Sequence, residues 1–335
     1  MRQLLRGGAP FIDERPVVVS RTGTRPGSSD EYAARRGAHL ITAEERVERF
    51  GLRRAAACRA RFGAANIPAT AMPAAESIMT DPLFDIGGKV ALVTGGTSGI
   101  GLMIARGLAR RGVRTYITGR DATRAAETAR EISPDGLCIG LEADLLDAEG
   151  PKRLAANFRS REERLGILIN NAGAGEANDI EKVRIADWDA VMSVNLRAAF
   201  FLVQELLPAL RAAATPEDPA RIVNIGSIGG LHIPNWDAFP YGASKAALHH
   251  LTRALAKRLG RDHITANAIA PGPFPSRMTD VESDAVRKSV AAYVPLRRAG
   301  TPPDIEGLVV FLASRAGAYV NGATVPLDGG YLAAL

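Results

Sequence analysis

One segment constrains this chain more than any other. The apolar run Val90–Thr94 enters Thr94-Gly-Gly-Thr-Ser-Gly-Ile-Gly101, and Ile100, Met103, Ile104 and Leu108 then recur at helical spacing. A strand must turn sharply into a helix here. Glycines at 95, 99 and 101 permit that turn and let backbone N–H groups come close to a pyrophosphate. The helix N-terminus adds partial positive charge at the same place. A tight turn with no ligand is the bland alternative. It is disfavoured because a second strand, Val113–Thr118, follows at the distance a nucleotide-binding βαβ unit requires.

The same alternation runs on. Thr123–Ile132 reads as a helix, Leu137–Leu141 as a third strand, Leu154–Phe158 as part of a helix and Leu165–Asn170 as a fourth strand. A long helix is expected over Ala186–Ala213, a fifth strand at Arg221–Ile225, a second long helix over Tyr241–Leu259, and strands at Ile264–Ala270 and Thr324–Leu327. Short, wholly apolar strands alternating with helices imply an α/β fold: a doubly wound parallel sheet with helices on both faces. Gly112 is a natural stop for the first helix. No repeat of solenoid length is present.

The end of the second strand selects the nucleotide. An acidic residue there would hydrogen-bond the ribose hydroxyls of NAD. This chain has Ile117-Thr-Gly-Arg-Asp121 instead. Gly119 leaves room where a carboxylate would project, and the planar fork of Arg120 suits a 2′-phosphate, so NADP(H) is the expected cofactor. Asp121, one residue on, could instead neutralise Arg120.

Charge is unevenly placed. Residues 1–78 hold 13 Arg, no Lys and 8 acidic residues, so they carry +5 of the formal +6, and residues 79–335 are close to neutral. A neutral body gives no electrostatic motive for nucleic-acid binding. The N-terminal stretch lacks the apolar run of a secretory signal and is too acidic for a transit peptide. It reads as an Arg/Ala-rich disordered extension with one short helical patch, Thr42–Phe62, and Met79 is a second candidate start. Residues 79–335 read as one domain. No stretch approaches the roughly 20 uninterrupted apolar residues of a membrane helix. Cys58 and Cys138 cannot form a disulfide framework, so a reducing cytoplasm is expected. No metal site is expected.

Tyr241-Gly-Ala-Ser-Lys245 supplies candidate chemistry. Positions i and i+4 of a helix share a face, so phenol and ammonium project the same way. A cation at about 4 Å is worth roughly 4 kcal/mol at an effective dielectric near 20. That would bring a phenol from about 10 to around neutrality, where it can exchange a proton in catalysis.

Together Thr94–Gly101, Asn170-Asn-Ala-Gly173, Asn195, Ser227, Tyr241…Lys245 and Pro271-Gly272 resemble the short-chain dehydrogenase/reductase family, in the family's order. The resemblance implies a Rossmann-type fold with seven parallel strands and a Ser–Tyr–Lys site completed by an asparagine. It implies that Tyr241 protonates a carbonyl oxygen in the reducing direction. Lys245 would lower the phenol's pKa and hold the nicotinamide ribose, and Ser227 would polarise the substrate oxygen. Asn195 would position a water linked to Lys245. The cofactor would lie against Gly95, Thr97, Ser98, Gly99, Ile100, Gly101, Arg120, Asp144, Leu145, Asn171, Ala172, Gly173, Pro271, Gly272 and Phe274. Ser276 stands where the family usually has threonine; it keeps the hydroxyl for the carboxamide and loses the methyl.

Leu206-Leu-Pro-Ala-Leu210, Asn224-Ile-Gly-Ser227, Lys245-Ala-Ala-Leu-His249 and Ala270-Pro-Gly-Pro-Phe-Pro-Ser-Arg-Met278 carry a narrower likeness. They resemble the 3-oxoacyl-[acyl-carrier-protein] reductases of the rhamnolipid type. That implies reduction of a small ketone carried on acyl carrier protein or CoA. A sugar or polyol dehydrogenase of the gluconate 5-dehydrogenase type, and a non-catalytic NADPH sensor, stay open as alternatives. Leu231, Ile233, Trp236, Phe239 and Met278 could line an acyl channel, and His232 reads as pocket wall or surface rather than a second base. The family commonly tetramerises through its two long helices and C-terminal segment. The apolar helix around Phe200–Leu207 and the ending Tyr331-Leu-Ala-Ala-Leu335 suit a homotetramer.

Overall fold

In the computed structural model the chain divides into two units, Met1–Ala75 and Glu76–Leu335. The structure describes residues 81–335 apart from 176–178, 234–236 and 277–278. The expected helical patch at Thr42–Phe62, together with Met79, Trp236 and Met278, lies outside the described residues.

Seven strands form one parallel sheet. They are β1 (Val90–Val93), β2 (Arg114–Gly119), β3 (Cys138–Glu142), β4 (Ile167–Asn170), β5 (Ala220–Ile225), β6 (Ile264–Pro271) and β7 (Thr324–Leu327). Their order is β3-β2-β1-β4-β5-β6-β7, the doubly wound arrangement expected. Ala91 pairs with Arg114-side neighbour Thr115 on β2 and with Ile167 on β4, so β1 and β4 lie side by side although β2 and β3 intervene in sequence. A crevice opens at such a reversal, beyond the carboxyl ends of the strands.

The helices are α1 (Gly99–Ala109), α2 (Ala122–Ile132), α3 (Gly150–Arg159), α4 (Ile185–Met192), α5 (Ala198–Ala213), α6 (Phe239–Leu259), α7 (Asp284–Tyr293) and α8 (Pro302–Ala313). Successive strand residues feed opposite cores, as a two-residue period requires. Ala91 and Val93 pack with Ile104 and Leu108 of α1 and Ile305 and Val309 of α8. Leu92 packs on the other face with Phe158 of α3, Leu202 and Leu206 of α5 and Leu255 of α6. Both faces are thereby covered, which is why the strands carry no polar alternation.

Two features depart from the sequence reading. The helix expected over Ala186–Ala213 is interrupted by a π-turn at Ser193–Arg197. That turn widens the helix where Asn195 points inward, and Asn195 is buried. Helices α7 and α8 were not anticipated. The signal for α8 was present, because Thr301-Pro-Pro-Asp304 is an N-cap, two prolines and an acidic N3 residue. The Asp304 carboxylate accepts from the Thr301 N–H at 2.8 Å and from its hydroxyl at 2.7 Å.

Among the described residues one helical run, Ile185–Ala213, is long and apolar enough to cross a membrane by length and composition. Its inward face (Leu202, Val203, Leu206 and Leu210) belongs to the sheet core.

Candidate active site

The site forms at the carboxyl edge of the sheet, around the β1–β4 crevice. Thr94, the residue after β1, ties the two strand ends together. Its hydroxyl donates to the Ile169 carbonyl at 3.3 Å and accepts the N–H groups of Asn171 and Ala172 at 2.9 and 3.0 Å. The Asn171 amide donates to the carbonyls of Thr94 and Gly95 at 2.9 and 3.2 Å. Asn171 therefore holds the glycine loop in shape through its side-chain NH2 group. Thr94 itself was missed as a site-building residue, and its place directly ahead of the glycines was the available signal.

The loop has the form of a cradle. Gly95 sits at φ 65°, a left-handed conformation that favours glycine. A Cβ on Gly101 would stand 2.4 Å from both the Gly95 carbonyl oxygen and Asn171 Nδ2, so only glycine lets the helix start so close to the loop. Ser98 is the N-cap of α1, yet its hydroxyl does not cap the helix. Thr97, Ser98, Gly99 and Ile100 are all partly accessible along this rim. Ser276 closes the rim from the far side: its Cβ would be 3.2 Å from a Cβ on Gly99.

Arg120 extends from the end of β2 and is exposed. The Asp121 carboxylate accepts the Arg124 N–H at 3.0 Å and caps α2, and no ion pair between Asp121 and Arg120 is present among the described residues. The room expected at Gly119 is filled by the loop: a Cβ there would meet Thr97 Cγ2 at 2.9 Å, so a side chain at 119 would require Thr97 to shift. Asp144 is exposed and accepts the Leu146 N–H at 3.0 Å. The Leu145 and Phe274 side chains are buried; Leu145 lines a small cavity with Thr94, Asn170, Ala172 and Asn195, and the Phe274 ring packs against Gly300. Pro271 is buried at the end of β6, and the Gly272 N–H donates to the Leu327 carbonyl. Gly173 is exposed between Asn195 and Lys245.

The structure brings Ser227, Tyr241 and Lys245 together. Ser227 follows β5, and Tyr241 and Lys245 stand one turn apart on α6. The Tyr241 phenol is hydrogen-bonded with the Ser227 hydroxyl. Lys245 Nζ lies 5.6 Å from the centroid of the Tyr241 ring and donates to the Ile225 carbonyl at 2.8 Å. Lys245 is 4% exposed, and burial lowers its pKa from 10.5 to about 8.

The phenol behaves differently from the sequence expectation. Burial pushes the Tyr241 pKa above 10, with only the Ser227 hydrogen bond opposing it. The ammonium stands 5.6 Å from the ring centroid, and burial outweighs its pull on the phenol, which is raised and not lowered. The phenol is held protonated, the form a proton donor needs. Asn195 is also more constrained than expected. Its two amide hydrogens go to the Ala174 carbonyl and to Ser244 Oγ, both at 2.9 Å, and its oxygen accepts the Ala174 N–H at 2.7 Å. What remains for a water is a lone pair on that oxygen.

A family model described as Enoyl-(Acyl carrier protein) reductase matches residues 95–332. The chain belongs to the short-chain dehydrogenase/reductase family. It is an oxidoreductase of that family, and its fold and residue order are those of its relatives. It is 44% identical to the rhamnolipids biosynthesis 3-oxoacyl-[acyl-carrier-protein] reductase of Pseudomonas aeruginosa over 252 residues, 75% of this chain and 98% of the relative. It is 35% identical to a 2-dehydro-3-deoxy-D-gluconate 5-dehydrogenase of Dickeya dadantii over 257 residues, 75% and 98% of the two chains. Superposed on the Pseudomonas aeruginosa RhlG/NADP active-site complex, the chain gives a TM-score of 0.72 at 44% identity, covering 75% of this chain and 99% of that one.

Around this reductase site, Leu231, Ile233 and Phe239 are exposed, so none of the three is core. The His232 ring packs on Tyr331 at 5.2 Å between centroids, and Tyr331 in turn meets Tyr293 of α7 at 6.1 Å. The sequence reading did not connect these three rings, since they come from segments up to 99 positions apart in the numbering of the chain. Among the described residues no group of three His, Cys, Asp or Glu is placed to hold a metal.

Proposed function

We propose that this protein is an NADP(H)-dependent 3-oxoacyl reductase that converts a ketone, carried on acyl carrier protein or CoA, to a secondary alcohol. One observation carries the reading: a protonated, half-buried Tyr241 phenol is hydrogen-bonded to Ser227 and flanked by Lys245 at the carboxyl edge of the sheet. The 44% identity to a 3-oxoacyl-[acyl-carrier-protein] reductase supports the substrate class.

The residues present fit the cofactor. The Gly95–Gly101 cradle, whose close approach a Cβ at 101 would fill, would receive the pyrophosphate at the N-terminus of α1. Arg120 would hold the 2′-phosphate, and Asp144 and Gly173 would border the adenine and nicotinamide ends. NADPH supplies hydride to the carbonyl carbon when bound. Ser227 donates a hydrogen bond to the carbonyl oxygen and polarises it, and Tyr241 gives that oxygen a proton as negative charge develops. Lys245, whose pKa burial lowers to about 8, would hold the ribose and balance the charge left on the phenol. Asn195 fixes the post-β4 segment to α6 and offers its oxygen to solvent linked with Lys245.

Residues 79–335 carry this activity, with 1–78 an extension outside the reductase body. The protein works in the cytoplasm, which the buried, unpaired Cys138 thiol suits. It assembles as a homotetramer. Ile185, Trp188, Phe200 and Phe201 leave an exposed apolar face on α4 and α5, and a groove of about 600 Å³ between these helices and α6 continues it.

The test follows nicotinamide absorbance with the full chain and acetoacetyl-CoA, comparing NADPH with NADH. Fast NADPH consumption and slow NADH consumption are expected. No turnover by protein that binds NADPH would overturn the thioester reading, and turnover of a keto-sugar acid instead would favour the gluconate dehydrogenase alternative.

A further inference from the structure

His249 has no part in the chemistry above, yet it lies directly beneath it. It follows Lys245 by one turn and Tyr241 by two on α6, so the three share one face. The imidazole is 2% exposed, and its polar neighbour is the backbone at Gly230, with which neither ring nitrogen reaches good hydrogen-bond geometry. Burial, followed by the neighbouring Lys245 charge, holds its pKa down at about 4, so the ring is neutral at working pH and is not a second base.

Its position is specific. Nε2 stands 2.0 Å from where a Cβ on Gly226 would be, and Cε1 2.9 Å from where one on Gly230 would be. Those two glycines bracket the turn that presents Ser227. Within the turn the Ser227 hydroxyl accepts the Gly229 N–H at 3.1 Å, and the Gly230 N–H donates to the Ser227 carbonyl at 3.0 Å. The Gly226 N–H is anchored on the Ile269 carbonyl at 2.7 Å, so the turn is fixed to the sheet at one end and rests on the imidazole along its length. Neither glycine has a positive φ. Gly226 is bare because the ring occupies the space a side chain would take, and at Gly230 the ring and the α6 backbone fill that space together.

We propose that His249 is a positioning residue whose ring forms the floor of the Ser227 turn and sets the Ser227–Tyr241 hydrogen bond. The inference rests on the reading of Ser227 and Tyr241 as the reacting pair. It explains an otherwise costly feature, a polar ring buried beside the site with only the Gly230 backbone as a polar neighbour.

The geometry predicts a reciprocal pattern in the full-length protein, assayed with acetoacetyl-CoA and NADPH. His249→Ala lets the turn sag, and kcat falls about tenfold to a hundredfold with little change in NADPH dissociation constant, the cost of a misplacement near 1 Å. Gly226→Ala drives a Cβ into the ring and lowers kcat as much or more. The double variant G226A/H249A removes that collision and recovers kcat above G226A alone. Gly230→Ala is not rescued by H249A, because its Cβ would also stand 2.7 Å from the α6 backbone at Lys245 and Ala246. Should H249A fail to fold, His249→Asn replaces it in the same cycle. An H249A enzyme with wild-type kcat and only a lowered melting temperature would overturn the proposal, as would additive losses in the double variant. An inactive wild type would instead indict the proposed reaction.

Discussion

Lys245 is a buried cation whose one hydrogen bond to a described residue is to the Ile225 carbonyl, and that makes it a liability to the fold that can be measured. Its pKa falls from 10.5 to about 8 because burial disfavours the ammonium. At about 1.4 kcal/mol per pH unit, the folded state below pH 8 carries roughly 3 kcal/mol of penalty. Replacing Lys245 by Met keeps most of the side-chain volume and removes the charge. It also strips the Ile225 carbonyl of its Lys245 partner, which costs about 1 kcal/mol. The net expectation is a variant about 2 kcal/mol more stable than wild type at pH 7, and catalytically dead. The pH dependence is the sharper readout. Between pH 8 and 10.5 the unfolded chain binds more protons at this lysine than the folded one does. Wild-type stability therefore rises with pH across that window relative to K245M, and the gap closes to the lost hydrogen bond. Urea unfolding without added cofactor, followed by tryptophan fluorescence at pH 7, 9 and 10.5, measures it, with m expected unchanged. A K245M protein less stable than wild type at pH 7, or a gap independent of pH, would refute the idea that Lys245 is held against its desolvation cost.

Three further outcomes follow from the geometry. Tyr241→Phe should lower kcat about a hundredfold to ten-thousandfold by removing the proton donor, with NADPH binding and melting temperature near wild type. Arg120→Ala should weaken NADPH binding about tenfold or more in fluorescence titration and leave NADH unchanged, since only the 2′-phosphate needs the guanidinium. Asp304, whose carboxyl is held far below the usual range first by Arg298 and then by Thr301, stabilises α8 while it is ionised. Asp304→Asn should cost about 1 kcal/mol at pH 7, the size of a helix cap. The difference from wild type should vanish as pH falls below about 4 towards the native carboxyl's own pKa, because the depressed carboxylate contributes only while charged.

Much of the site was legible because its residues are local in sequence. The glycine spacing at 95, 99 and 101 dictates a close strand-to-helix turn whatever surrounds it. Tyr241 and Lys245 share a helix face by periodicity alone. The wholly apolar strands required a sheet covered on both sides, and Thr301 and Asp304 announced a helix start that the sequence reading passed over. Three matters depended on distant parts of the chain meeting. The Tyr241 pKa is set by burial, which no local pattern displays, and so the phenol is raised where pairwise charge arithmetic brought it down. Asn195 becomes a clamp only because a π-turn directs it at Ala174 and Ser244, segments 21 and 49 positions away. His249 matters only because two glycines of another element come to lie over its ring. Spacing along the chain determines which groups can share a turn or a face. Desolvation, close approach and partner choice are properties of the packed interior, and they exist only once the chain has closed around them.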